Sequence, residues 1–153
     1  PQGYLTPLPD GRGYGEALLD PSVLYPAFVG ACQGAGIALH YAVHLTGHGW
    51  SKLMRLEEPF VYRVERLPEP QPLFRFLREQ ARLDAREAYG TFNMGAGFAV
   101  YVAPGDAGRT VACAKAAGYE AWQAGVVLKD GVRKAVELAP LGIEYGAESL
   151  RIR

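Results

Sequence analysis

Residues 37–46, "IALHYAVHLT", alternate without a break. Ile37, Leu39, Tyr41, Val43 and Leu45 fall on one side, and Ala38, His40, Ala42, His44 and Thr46 on the other. Period two over ten residues is the pattern of a strand with one buried face, and it argues against a helix over the same residues. "GHG" at 47–49 ends the run. "WSKLMRL" follows, with Trp50, Leu53 and Met54 on one helical face. All three histidines of the chain lie in this stretch: His40, His44 and His48. On a strand, four residues separate two Cα atoms by roughly 13 Å. Two imidazoles that bind one zinc at about 2.0 Å do not span that gap, so no metal site is expected from the spacing.

A one-sided strand needs other layers to cover it, and the rest of the chain supplies them. Asp20-Pro21 reads as an N-cap with proline at the first helical position, for a helix that stops near Gly34. Pro26 inside it predicts a kink or a later start. "FVYRVER" alternates again, with Phe60, Tyr62 and Val64 opposite Arg63 and Glu65. "PLFRFLREQAR" is a helix pattern with Leu73, Phe76 and Leu77 inward, and Asp84 and Glu87 have capping-box spacing for a second short helix. "GFAVYVA" is a continuous apolar run, expected to be a strand buried on both faces. "GDAGRTVACAKAAG" reads as a small-residue helix ending at Gly118. "AWQAGVVLKDGVRKAVEL" reads as two strands joined by a type I′ hairpin turn at Asp130-Gly131. The tail "GIEYGAESLRIR" has room for one more edge strand. Helices and strands in this order predict an α+β fold, a mixed β-sheet packed by helices.

The 153 residues suit one domain. Residues 1–16 are rich in Gly and Pro and lack periodicity, so they are read as a linker or extended arm before a single domain at 17–153. A chain opening on Pro1 is expected to be either a piece of a longer protein or a trimmed one. Sixteen basic residues balance sixteen acidic ones, which argues against broad binding to a nucleic-acid backbone but leaves room for one local anion site. Cys32 and Cys113 have no metal-ligand spacing and read as small buried residues in a reducing, cytoplasmic setting. No apolar run approaches the roughly 20 residues of a membrane span, and no signal-peptide pattern opens the chain.

The turn after the alternating strand is the first candidate site. Thr46, Gly47 and Gly49 end a strand and open a helix, where glycine admits close backbone approach and free N–H groups attract anions. Lys52 and Arg55 lie one turn further on. Two readings stand side by side: a phosphate cradle with His44 and Thr46 at its rim, or a tight turn with two solvated basic residues. The second candidate is "TFNMGAG", where Asn93 can both donate and accept, and Gly95 and Gly97 leave room beside it. Here the alternative is a plain turn with Asn in the left-handed conformation. Phe60, Tyr62, Phe74 and Phe76 read as core. No catalytic carboxylate pair and no serine elbow emerge.

Two of these segments resemble one family. "AVHLTGHG" at 42–49 resembles the His-Ile-Thr-Gly-Gly-Gly stretch of aminoimidazole ribonucleotide (AIR) synthetase, and "YGTFNMGAGFAVYV" at 89–102 resembles its Phe-Asn-x-Gly-x-Gly strand opening. "GEALLDPSVLY" at 15–25 and "GYEAWQAGVV" at 118–127 match in the same order. The resemblance covers roughly residues 15–128 and is to the family's C-terminal domain. It implies the AIR synthetase C-terminal-domain-like fold. It also implies the cleft-forming part of an ATP-dependent cyclo-ligase that turns formylglycinamidine ribonucleotide into aminoimidazole ribonucleotide in purine biosynthesis, a homodimer when full length. ATP activates an amide-type oxygen as a phosphate ester, and a nitrogen displaces it.

In that family ATP and Mg are held mainly by an N-terminal domain, whose Asp-Gly-x-Gly-x-Lys-type segment does not occur in these 153 residues. The resemblance places His44 beside the small phosphorylated substrate, as a catalytic or substrate-binding imidazole, since imidazoles exchange protons near neutral pH. Thr46, Gly47, Gly49, Asn93 and Gly95 would line the cleft, and the basic Lys52 would face the phosphate. One departure stands at His48, where the family has the middle glycine of three. It leaves open a paralogue that uses ATP on a different phosphorylated or amide substrate. A non-catalytic anion-binding or interaction module is the reading from a different class.

Overall fold

A computed structural model of the chain describes residues 2–150. Pro1 of the N-terminal arm and the last three residues of the tail lie outside the described residues. The architecture is α+β, but the strands form two sheets rather than one. β1 (Tyr41–His44) pairs antiparallel with β3 (Phe98–Tyr101), His44 opposite Phe98. The second sheet is mixed and runs in the order β4 (Gly125–Leu128), β2 (Val61–Val64), β5 (Ala135–Leu138), β6 (Ile143–Gly146). β6 is the edge strand for which the tail had room.

The two-stranded ribbon lies between two cores. On one side Val43 and Leu45 join Trp50, Leu53, Met54, Tyr62, Val64, Val136 and Leu138. On the other, Phe98 and Val100 of β3 meet Phe28 and Cys32 of α2 (Pro26–Gly34) and Ala114 of α5 (Ala107–Ala116). The alternation expected from the sequence is visible in the burial: Val43 and Leu45 are buried, whereas Ala42, His44 and Thr46 are exposed. The paired strand is shorter than the pattern, because β3 offers only four partners. Single bonds from His40 N to Tyr101 O (2.8 Å) and from Leu45 N to Gly97 O (2.9 Å) extend it by one residue at each end.

α1 is a single turn (Tyr14–Leu18). Its Tyr14 ring packs 5.3 Å from Phe76 of α3 (Pro72–Gln80), and Leu8 before it is buried. α2 begins at Pro26, not at Pro21. Proline blocks the bond to the residue four before it and is tolerated only in the first helical turn, so the second proline sets the start. α4 (Ala85–Thr91) carries the expected capping box: Glu87 N donates to Asp84 Oδ1 at 2.8 Å, and Asp84 N to Glu87 Oε2 at 3.0 Å.

Two expectations are corrected. β3 is half-buried along its whole length rather than sealed on both faces, since a two-stranded ribbon leaves its edges open. Asp130-Gly131 does not join a hairpin. β2 inserts between β4 and β5, antiparallel to the first and parallel to the second. A type I′ turn needs positive φ at both central residues, and among 129–132 only Gly131 has it (54°). β2 takes the central place because Val61, Tyr62 and Val64 are all buried, as an interior strand requires. No helix among the described residues is long and apolar enough to cross a membrane.

Candidate functional site

β1 ends on His44, and the chain turns at once through Leu45–His48 into a six-residue 3-10 helix, Gly49–Met54. The turn is pinned from within: Gly49 N donates to Thr46 O at 3.1 Å and Ser51 Oγ to His48 O at 2.7 Å. Gly49 is buried against α4 with φ 51°, and any Cβ there would run into the Tyr89 carbonyl oxygen. His48 adopts φ 73°, ψ 7°, the left-handed region in which glycine is favoured. Its imidazole is exposed, and the turn keeps the path a glycine would give it. A side chain there costs roughly 1–2 kcal/mol. His48→Gly is therefore expected to raise stability by roughly 0.5–1 kcal/mol, after the added freedom of the unfolded chain is deducted. A denaturant midpoint that stays or falls would show that the imidazole makes a contact worth as much as the strain.

The helix end itself contributes less than the sequence implied. The helix is short, and the first amide, that of Gly49, is spent on Thr46. What gives the turn its charge is Lys52, whose whole residue is only 7 % exposed. Its Nζ donates to Thr46 Oγ1, and no carboxylate lies within 4 Å of it among the described residues. Burial, and then the nearby charge of Arg55, holds the lysine below its ordinary pKa. An ammonium has donors only. Thr46 Oγ1 is thus the acceptor in this bond, and its own hydrogen remains available to a further acceptor at this exposed residue. The turn presents a polarised hydroxyl and a cation behind it, which favours an acceptor-only ligand such as a phosphoryl oxygen.

The second motif is brought to the first. Trp50 Nε1 donates to Asn93 O at 3.0 Å, tying the Asn93–Gly95 loop to the turn. Asn93 Oδ1 accepts from Gly95 N at 3.0 Å, so the carboxamide braces its own loop. The left-handed residues are Met94 (φ 48°) and Gly95 (φ 100°), not Asn93. At Gly95 φ 100° is a backbone that L side chains rarely adopt, and a Cβ there would stand a tight 3.2 Å from Glu69 O. Gly47, by contrast, faces open space.

Residues that sequence reasoning did not single out also flank His44. Its ring stands edge-on to Tyr25 at 5.7 Å and to Phe98 at 6.4 Å. Tyr25 stacks on Phe98 at 4.7 Å and on Tyr119 at 5.7 Å, forming an aromatic shelf beside the turn. Gly97 is small because the Tyr25 hydroxyl occupies the space of a side chain there. Tyr25 closes the segment 15–25 and Tyr119 lies within 118–127, so the signal was the joint placement of those two segments. Among the described residues, no group of three or more His, Cys, Asp or Glu side chains is placed to hold a metal ion.

Fold and turn together define an α+β domain built around one strand–Thr-Gly-x-Gly turn with a buried lysine beneath it. No protein-family model matches the chain. Among curated proteins it is 41 % identical over 92 residues to a phosphoribosylformylglycinamidine cyclo-ligase of Methanothermobacter thermautotrophicus, an overlap of 60 % of this chain and 27 % of that protein. It is 30 % identical over 132 residues to the cyclo-ligase of Agathobacter rectalis and 31 % over 131 residues to that of Parasynechococcus marenigrum. Those overlaps take in 84 % and 81 % of this chain, and 38 % of each relative. The chain belongs to the phosphoribosylformylglycinamidine cyclo-ligase, or AIR synthetase, family. It spans between about a quarter and two fifths of the length of these relatives.

Proposed function

We propose that the chain is the C-terminal, cleft-forming domain (residues 17–153, with 1–16 as the joining arm) of an ATP-dependent cyclo-ligase of purine biosynthesis. The observation that carries this reading is the Thr46–Lys52 pair at the end of β1, a hydroxyl backed by a buried cation in a chain whose relatives are named for acting on a phosphoribosyl compound. In this reading the phosphate of formylglycinamidine ribonucleotide accepts from the Thr46 hydroxyl over Gly47 and Gly49, and Lys52 supplies the countercharge. His44 sits against the reacting end and hydrogen-bonds it or moves a proton. Asn93 and Gly95 hold the neighbouring wall.

ATP would supply the phosphoryl group that activates the amide oxygen. No group of three or more His, Cys, Asp or Glu side chains is placed to hold its magnesium among the described residues. The ion, with most ATP contacts, is assigned to an N-terminal domain. The isolated chain is then inactive, and the active form is a cytoplasmic homodimer of two-domain subunits. The departure at His48 leaves the turn's backbone path in the conformation of a glycine, which favours the family's own substrate over that of a paralogue.

An NMR titration with ribose 5-phosphate tests the site. The amide signals of His44, Thr46, Gly47 and Gly49 are expected to move together and saturably. Movement scattered over surface lysines and arginines, with none at the turn, would sink the assignment.

A further inference from the structure

A second concentration of positive charge lies along α3, on residues that the turn does not use. A groove of about 500 Å³ is lined there by Arg75, Arg78 and Arg82, with Pro70, Leu83 and Met94 as its apolar part. Two of the guanidiniums are held by backbone. Arg75 Nε donates to Pro70 O at 3.0 Å and Arg78 Nε to Leu83 O at 3.3 Å, which fixes each fork and, at Arg78, leaves the terminal N–H groups to point elsewhere. Arg75 also meets the exposed Glu69 at 3.0 Å, but Arg78 and Arg82 have no carboxylate within 4 Å among the described residues. Glu79 is the one acidic residue of the lining, set against three arginines.

Arg82 is the informative residue. The end of α3 is a Schellman cap: Leu83 N donates to Arg78 O at 3.0 Å and Arg82 N to Glu79 O at 3.1 Å. In that cap the residue after the C-cap is left-handed and is usually glycine. Here it is Arg82, with φ 54°. An L side chain there costs roughly 1–2 kcal/mol, and the cap's hydrogen bonds use none of it. The strain stands where a guanidinium is added to the groove.

We propose that the groove is a second ligand site, distinct from the Thr46–Lys52 turn, that takes a phosphate monoester. The phosphoryl oxygens accept from the forks of Arg78 and Arg82, which have no carboxylate partner among the described residues, with Arg75 adding charge beside them. The organic part of the ester rests on Pro70 and Leu83. Phenyl phosphate titrated into the chain, followed by amide NMR, tests this. Saturable shifts at Arg78, Arg82 and Leu83 are expected, weakening several-fold between 50 and 200 mM salt. Arg82→Gly restores the usual cap residue, so it is expected to unfold at a higher temperature while binding phenyl phosphate at least ten-fold more weakly. Equal affinity in Arg82→Gly and the parent chain, shifts confined to Thr46–Lys52, or no saturable shift at all would each overturn the proposal.

Discussion

Gly49→Ala is expected to cost about 3 kcal/mol or more of folding stability. Two penalties add at this position. The backbone sits at φ 51°, and the new Cβ meets the carbonyl oxygen of Tyr89 and the peptide that follows it. Neither is the far end of a flexible side chain; both belong to α4, which is fixed by its capping box and by the Tyr145 hydroxyl donating to Arg86 O at 2.6 Å. Relief requires the turn and α4 to separate, and that opens the core around Trp50, Leu53 and Met54. For a domain of this size the midpoint of thermal unfolding should fall by roughly 10 °C. Gly47→Ala, two residues earlier and facing open space, should change it by less than about 2 °C. Equal effects in the two variants would show that the close approach of turn and α4 is not what requires glycine.

Lys52→Met should separate stability from binding. The free chain carries a buried ammonium whose only partner among the described residues is a neutral hydroxyl. Methionine fills similar volume without a charge to desolvate, so the variant is expected to gain about 1 kcal/mol. Its affinity for ribose 5-phosphate should drop by about ten- to a hundred-fold, the worth of one charge-assisted hydrogen bond. The pH dependence follows from the direction of the lysine's shift. Its folded pKa lies below the ordinary 10.5. Between those two values the unfolded chain binds more protons than the folded one, so the parent's stability rises with pH across that window. Ligand affinity runs the other way and is lost as pH rises through the folded value, because the neutral amine no longer opposes the phosphate. Lys52→Met should flatten both slopes. A variant that is less stable and keeps its affinity would mean that the lysine serves as a packing element.

Patterns that depend on a few neighbouring residues are legible in the sequence alone. The alternation at 37–46 marks the exposed and buried faces of β1, and Asp84 with Glu87 marks the start of α4. Patterns that depend on distant partners are not legible in this way. "VVLKDGVRK" has the composition of a hairpin, but the preference of β2 for an interior position decides the pairing, and β2 lies some 60 residues upstream. The later start of α2, by contrast, is legible, because a helix begun at Pro21 would be interrupted by Pro26. At the site, the turn glycines and Thr46 stand out by their spacing. The burial of Lys52 does not, since a lysine next to a serine on a short helix reads as solvent-facing until α4 and the four-stranded sheet close over it. Tyr25 is hidden for the same reason: nothing within its own segment places it against His44.

If this domain completes a cyclo-ligase cleft, turnover by the joined protein shows it most directly. The chain, fused through residues 1–16 to a family N-terminal domain, would be given ATP, magnesium and formylglycinamidine ribonucleotide, with aminoimidazole ribonucleotide and ADP followed together. Equal amounts of the two products are expected from the fusion, and none from the 153-residue chain alone. Thr46→Val should lower kcat/KM at least ten-fold, by loss of a hydrogen bond to the charged phosphate, and Thr46→Ser should not. A correctly folded fusion that hydrolyses no ATP with this substrate, or one that Thr46→Val leaves untouched, would contradict the assignment.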